Sequence, residues 1–339
     1  MNNLNHFLLF LIITSACTNP KPKNQEKQTT VDDSSWVVDA SFETGHVGRY
    51  GIRTDVNYNQ IQVKKLLEIN SLGVPLFFPE GTYRMNLIID GSKNHHMVFN
   101  NATIAGQLQI IGQETERSSN INLKGKLTVL DKVFMRHAEN ISIETLHVVS
   151  DETNSLREID NPGVSIYAGV DKVSIDSLFI ENTIQSDLDH NKFSAAAFQV
   201  HGWNNNPKNI NIDYLEIKNS GRSGVYLTGQ NHEIGRLIID SFGTTESTNM
   251  AGLQDAIPGT EKNYKALWIN KCNNCIVYEA EILQKPIERT YHLAVGVGDT
   301  SKPSIIEQLS FISENGEVSV KERIPSNVIV KNTTMLDVR

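Results

Sequence analysis

Ile212-Asp213-Tyr214-Leu215-Glu216-Ile217-Lys218-Asn219 decides the fold. It reads apolar-x-x-apolar-x-apolar, with a small polar residue two positions on. The same pattern runs from Ile143-x-x-Leu146-x-Val148 to Ser150 and from Ile175-x-x-Leu178-x-Ile180 to Asn182. It returns from Ile234-x-x-Leu237-x-Ile239 to Ser241, and from Val277-x-x-Ala280-x-Ile282 to Gln284. Each copy is a strand of the aliphatic and β-branched residues that strand interiors prefer. One such strand cannot bury its apolar face alone. A stack of them can, and that is how a solenoid makes a core. The separations fit a coil of about 20–25 residues with insertions of variable length. No 3.6-residue apolar period is visible, so helical repeats are excluded. A parallel β-helix follows.

Asn182 and Asn219 take the position after the last apolar residue. Asn tolerates left-handed backbone, and its amide can bond to the equivalent Asn one coil away. The expectation there is a structural ladder with no catalytic role.

The ends of the 339-residue chain read differently. Phe7 to Ile13 is apolar and gives way to small residues before Cys17. It is too short to span a bilayer and reads as a secretory signal over residues 1–16. Thr14-Ser15-Ala16-Cys17 resembles a bacterial lipobox, which implies acylation of Cys17 and a lipid anchor in the cell envelope. A plain cleaved signal is the alternative. Residues 17–35 are polar and cannot order themselves, so they read as a tether. The net charge of −8 leaves no basic surface for phosphate contacts and excludes nucleic acid as a partner. Cys272-x-x-Cys275 has too few ligands for a structural zinc site. An oxidised pair closing a turn and two plain thiols both remain open.

Residues 36–96 form an N-terminal cap, and 97–339 the β-helix. Asn59 to Asn70 alternates Ile61, Val63, Leu66, Leu67 and Ile69 with polar residues, as an amphipathic helix does. Asn59 is its N-cap and Gly73 follows its end. A helix is expected there because the end of a solenoid exposes its core. Phe77-Phe78-Pro79-Glu80-Gly81-Thr82-Tyr83 then forms a strand and turn. The run from Thr54-Asp55 through the helix to this F-P-x-G-x-Y segment resembles the cap of pectate-lyase-like proteins. That resemblance implies an all-β fold: a single-stranded, right-handed parallel β-helix with an N-terminal capping helix. It says little about the reaction, because lyases, hydrolases and viral tail spikes share it. Met97 to Ile104 and Ile121 to Val129 read as weaker early coils, and Val328 to Met335 as the last. Residues 298–326 read as an excursion or hairpin.

A shorter strand precedes each long one: Val164 to Tyr167, Phe198 to His201, Val225 to Thr228, Leu267 to Asn270 and Leu293 to Gly296. Strand side chains alternate faces. The outward columns are therefore Ser165, Gln199, Tyr226, Trp268, Ala294 and Tyr167, His201, Thr228, Asn270, Gly296. Insertions at one corner, 151–162, 183–193, 242–263 and 285–291, would rim this wall. Exposed aromatics beside polar residues suit sugar rings, which makes Gln199, Trp268, Tyr167, Asn270 and the loop residue Asp255 candidates for substrate binding. Packing of the aromatics on one another is the structural alternative.

Uronate β-elimination needs a base for the C5 proton, an acid for the leaving oxygen and a cation on the carboxylate. Arg222, Lys265, His201, His292 and Tyr226 are the candidate catalytic set. A hydrolase needs two carboxylates flanking the bond, and the predicted columns contain no acid pair. No cofactor is expected. Calcium at Asp187, Asp189 and His190 is a weaker option against a plain solvated loop. The expectation is an exported polysaccharide lyase. A glycoside hydrolase and a non-catalytic glycan-binding protein are the alternatives.

Overall fold

The computed structural model describes residues 31–150, 163–183, 196–202, 207–221, 223–242, 264–284, 292–297, 303–313 and 328–337. Asp33–Arg339 form one unit. It is a parallel β-helix. Each coil has a short strand and a long one. The short strands are Leu87–Asp90, Leu108–Ile111, Lys132–Arg136, Gly163–Ile166, Ala196–Val200, Ser223–Gln230, Tyr264–Asn273 and His292–Val297. The long strands are Lys93–Ile104, Ser118–Val129, Ala138–Val149, Asp171–Glu181, Lys208–Lys218, Glu233–Asp240, Ile276–Gln284, Ser304–Ser313 and Val328–Asp337. Short strands pair in parallel with short ones of the next coil, and long with long.

The long strand turns a corner. In Ala138–Val149, Ile141, Ile143, Leu146 and Val148 point inward, while Glu144 and Thr145 both point out. Two successive outward residues mark the bend, so each coil has three faces. The register then superposes like on like. Ile143, Ile175, Ile212, Ile234, Val277 and Ile306 make one buried column. Leu146, Leu178, Leu215, Leu237, Ala280 and Leu309 make the next. Fully burying each such side chain contributes about 1.5–3 kcal/mol. Ile306-x-x-Leu309-x-Phe311 is thus a further copy of the repeat. Part of the segment expected to be an excursion is a rung, paired on both sides.

Two ladders of side-chain amides mark the corners. The expected one is present: Asn219 donates to Asn182 at 2.9 Å, and both residues have positive φ. A second runs where the short strand meets the long one. Asn120 donates to Asn94, Asn140 to Asn120, Asn231 to Asn209 and Asn274 to Asn231, all left-handed. Lys172 occupies the intervening rung with φ 58°, and there Asn209 donates to Asp171 at 2.7 Å instead.

The cap helix covers Gln60–Ser71 and is closed by a reciprocal capping box between Asn59 and Gln62. Val63, Leu66, Leu67 and Ile69 are buried, and the helix packs on Lys93–Ile104 and Leu87–Asp90. Gly73 takes the left-handed turn that ends it, its N–H reaching Asn70 O at 2.9 Å. Asn70 is buried and bonds to the backbone of Val74 and His96 and to the ring of His95. Rungs begin within the segment read as cap: Leu76–Phe78 and Gly81–Tyr83 pair with the two halves of Lys93–Ile104. Pro79-Glu80 is their corner. Gly81 sits at φ 143°, where a Cβ would collide with Thr54, so the glycine of the F-P-x-G-x-Y segment is required by close packing.

Candidate functional site

The short-strand face carries the predicted wall except at its last rung, where Trp268 pairs with Gly296 and not with Ala294. Gln199 pairs with Ser165 and Tyr226, and Tyr226 with Trp268. The alternation of the sequence therefore places these side chains on one flank. Tyr167 and His201 stand in the adjoining column, since Tyr167 follows Ile166 and His201 follows Val200.

The rings form a continuous zigzag across both columns. Centroids of Phe134 and Tyr167 lie 5.3 Å apart, Tyr167 and His201 5.5 Å, His201 and Tyr226 5.6 Å, and Tyr226 and Trp268 4.7 Å. The last three pairs are edge-to-face, the arrangement that the ring quadrupole favours. Lys265 closes the series, its Nζ 3.9 Å from the Trp268 centroid. Small residues let the rings lean between columns. Ser165 accepts from Gln199 Nε2 at 2.9 Å, and the same nitrogen donates to the Tyr167 hydroxyl at 3.1 Å.

Burial divides the wall. Ser165, Gln199, Tyr226 and Thr228 are only 2%, 1%, 7% and 3% exposed. Outward parity therefore does not mean open surface, and the expectation of an exposed Gln199 and Tyr226 is corrected. Tyr167, His201, Lys265, Trp268 and Asn270 are partly exposed. Burial raises the Tyr226 phenol above its ordinary value, opposed by the bond from Asn270 Nδ2 at 2.9 Å, so it stays protonated. Burial lowers the His201 imidazole, which is neutral at neutral pH.

Of the remaining expectations, Arg222, Asp255, Asp187, Asp189, His190 and Cys17 lie outside the described residues. His292 opens a described strand, paired with Tyr264, but its side chain is not among the described ones. Cys272 and Cys275 form a disulfide.

Two members of the wall escaped the sequence reading. Phe134 is in register with Ser165. Arg136 is exposed and follows Met135, the partner of Ile166, which puts it one rung from Tyr167. The run Val133-Phe134-Met135-Arg136 shows the same alternation as the later short strands and signals both. Cations thus stand at both ends of the ring series, four rungs apart, or about 19 Å at strand spacing. No Asp or Glu occurs in the five short strands from Lys132–Arg136 to Tyr264–Asn273.

Carboxylates do gather on a long-strand face. Lys218 Nζ lies 2.7 Å from Glu216 and 4.0 Å from Glu181, and Glu181 lies 3.4 Å from His147 Nε2. Tyr214 donates to Glu216 at 2.8 Å. These groups pair with one another near solvent, where each pair contributes little. This chain matches no family model, no curated protein and no solved structure.

Proposed function

We propose that the chain is an exported carbohydrate-active protein. It takes a uronate-containing extracellular polysaccharide along the short-strand face and cleaves it by β-elimination. The observation that carries this reading is the ring series from Phe134 to Trp268 with Arg136 and Lys265 at its ends. Sugar C–H faces pack on aromatic rings, and the cations pair with carboxylates of an acidic glycan. The protein as a whole is acidic, so this local pair of cations supplies the attraction that the net charge does not. A parallel β-helix of the pectate-lyase-like kind, anchored through Cys17, is the scaffold this reading assumes.

The roles follow from the chemistry. Lys265 neutralises the uronate carboxylate so that the carbanion-like state at C5 is reachable. His201, neutral through burial, accepts the C5 proton. Tyr167, partly exposed and oriented by Gln199, donates to the leaving oxygen. Tyr226 is buried behind His201 and positions it. Arg222 and His292 belong to the same proposal as further catalytic candidates, and Asp255 as a substrate-binding one.

The test is incubation with a panel of pectic, alginate and glycosaminoglycan chains, reading the absorbance of unsaturated uronate products. The expected result is product from one acidic glycan and its loss in Lys265→Ala. A second reading, a glycan-binding protein without catalysis, is favoured by the mutual burial of Tyr226 and Gln199. It predicts retention on the glycan in affinity electrophoresis with no product. Neither product nor retention on any acidic glycan sinks both. Reducing ends released from a neutral glycan would point to hydrolysis, and to the carboxylates of the long-strand face.

A further inference from the structure

Stacking brings His232 against the Cys272-x-x-Cys275 turn. His232 precedes Glu233 and Cys275 precedes Ile276, and Glu233 pairs with Ile276. His232 therefore lies one rung below Cys275. Gly229 pairs with Cys272, which fixes the other side. His232, Cys272 and Cys275 are at most 1% exposed, and their ligand atoms all lie within 4.8 Å of one another. The expectation that C-x-x-C has too few ligands counted neighbours in the sequence. The fold supplies a third donor from the coil below.

Both ring nitrogens of His232 are held by the backbone. Its Nε2 lies 2.8 Å from Thr228 O, an acceptor only, so that nitrogen carries the proton. Nδ1 then holds the lone pair and accepts the Ile210 N–H at 3.2 Å. A ligating histidine characteristically gives its other N–H to a backbone carbonyl, which fixes the tautomer and ring. Ser304 Oγ donates to Cys272 O at 2.7 Å and accepts the Cys275 N–H at 3.3 Å, tying down both ends of the turn.

We propose that reduction of the Cys272–Cys275 disulfide opens a buried site for one sulfur-seeking d10 cation, Zn2+ or Cu+, held by the two thiolates and Nδ1 of His232. Reduction is a thiol–disulfide exchange. A dithiol reductant gives up two electrons and closes its own disulfide, while the Cys272–Cys275 bond breaks and each sulfur takes a proton. The cation displaces those protons, because the thiolate is the ligand. Asn211 pairs with Glu233, so Ile210 lies on the rung opposite the cysteines, and the ring must turn as Nδ1 exchanges its bond to Ile210 for the metal. Two thiolates balance Zn2+, which leaves no net charge in the interior. Soft sulfur donors suit Zn2+ and Cu+, whereas Ca2+ and Mg2+ require oxygen. Oxidation ties up both sulfurs, so the disulfide form takes no ion.

The experiment uses the full chain, reduced with a dithiol under anaerobic conditions and desalted. Zn2+ and Cu+ are titrated separately against chromophoric chelators, and Co2+ serves as a spectral probe for sulfur-to-metal charge transfer. Reduced wild type is expected to retain one equivalent of at least one of the two ions beyond the Cys272→Ser/Cys275→Ser variant, and to show the cobalt band. The oxidised chain is expected to show neither. His232→Gln should weaken retention at least 10-fold. Circular dichroism follows the β-structure of every form. Retention by reduced wild type no greater than by the double variant overturns the proposal. So does equal retention by the oxidised chain, or loss of β-structure on reduction.

Discussion

Burial holds the imidazoles of His95 and His232 at a pKa of about 4, against about 6.5 for an exposed histidine. Below pH 6.5 the unfolded chain takes up protons at these positions and the folded chain does not. Stability is therefore full above pH 6.5, falls as pH drops toward 4, and levels off below it. Each residue contributes about 3 kcal/mol at most over that window. Urea unfolding from pH 7 to pH 4 should show the midpoint falling, and His95→Gln should flatten the slope. A midpoint independent of pH would mean that these rings are not buried as described. At Trp268 the edge contact with Tyr226 and the Lys265 ammonium above the ring together contribute about 1–2.5 kcal/mol. Trp268→Ala should cost about that much in urea unfolding. If the wall binds glycan, it should also weaken retention in affinity electrophoresis at least 10-fold. A loss of stability without any loss of retention would leave the ring a packing element only.

At the scale of the element, the ladder of left-handed amides is broken at Lys172, between Asn140 and Asn209. Lys172→Asn places an amide whose Nδ2 can donate to Asn140 and whose backbone suits φ 58° better than lysine does. One added hydrogen bond contributes about 0.5–1.5 kcal/mol. The variant should be more stable by roughly that amount in urea unfolding, whereas Asn140→Ala should be less stable. Which features the sequence made legible follows the same logic. Apolar side chains at Ile175, Leu178 and Ile180 must coincide with their copies to be buried, so spacing alone exposes the rungs. Asn59 and Gly73 are legible because capping is local. Burial of Gln199 and Tyr226 is not, because alternation fixes the side of a strand and not what covers it. His232 escaped as a partner of Cys272 and Cys275 because their proximity arises only after one full coil is closed. Ile306-x-x-Leu309-x-Phe311 obeys the repeat 29 residues after Val277, within the spacing of the other copies, and was legible on the same grounds.

For the whole molecule, each rung contacts only its neighbours, so stability is close to a sum of rung and interface contributions. The cap helix seals one end through Val63, Leu66 and Leu67, and local opening there is opposed by the capping box and the Asn70–His95 network. Damage should spread according to place. Leu215 is fully buried, with Leu178 on one side and Leu237 on the other. Leu215→Ala should cost about 2–5 kcal/mol and lower amide protection in the rungs on both sides. Val328 opens the last described strand, whose described pairing is with Ser304–Ser313. Val328→Ala should speed exchange in that strand and leave Ala138–Val149 unchanged. Hydrogen exchange read by mass spectrometry separates the two patterns. Equal loss of protection along all rungs in both variants would show that the stack unfolds as one unit. The additive account of its core would then fail.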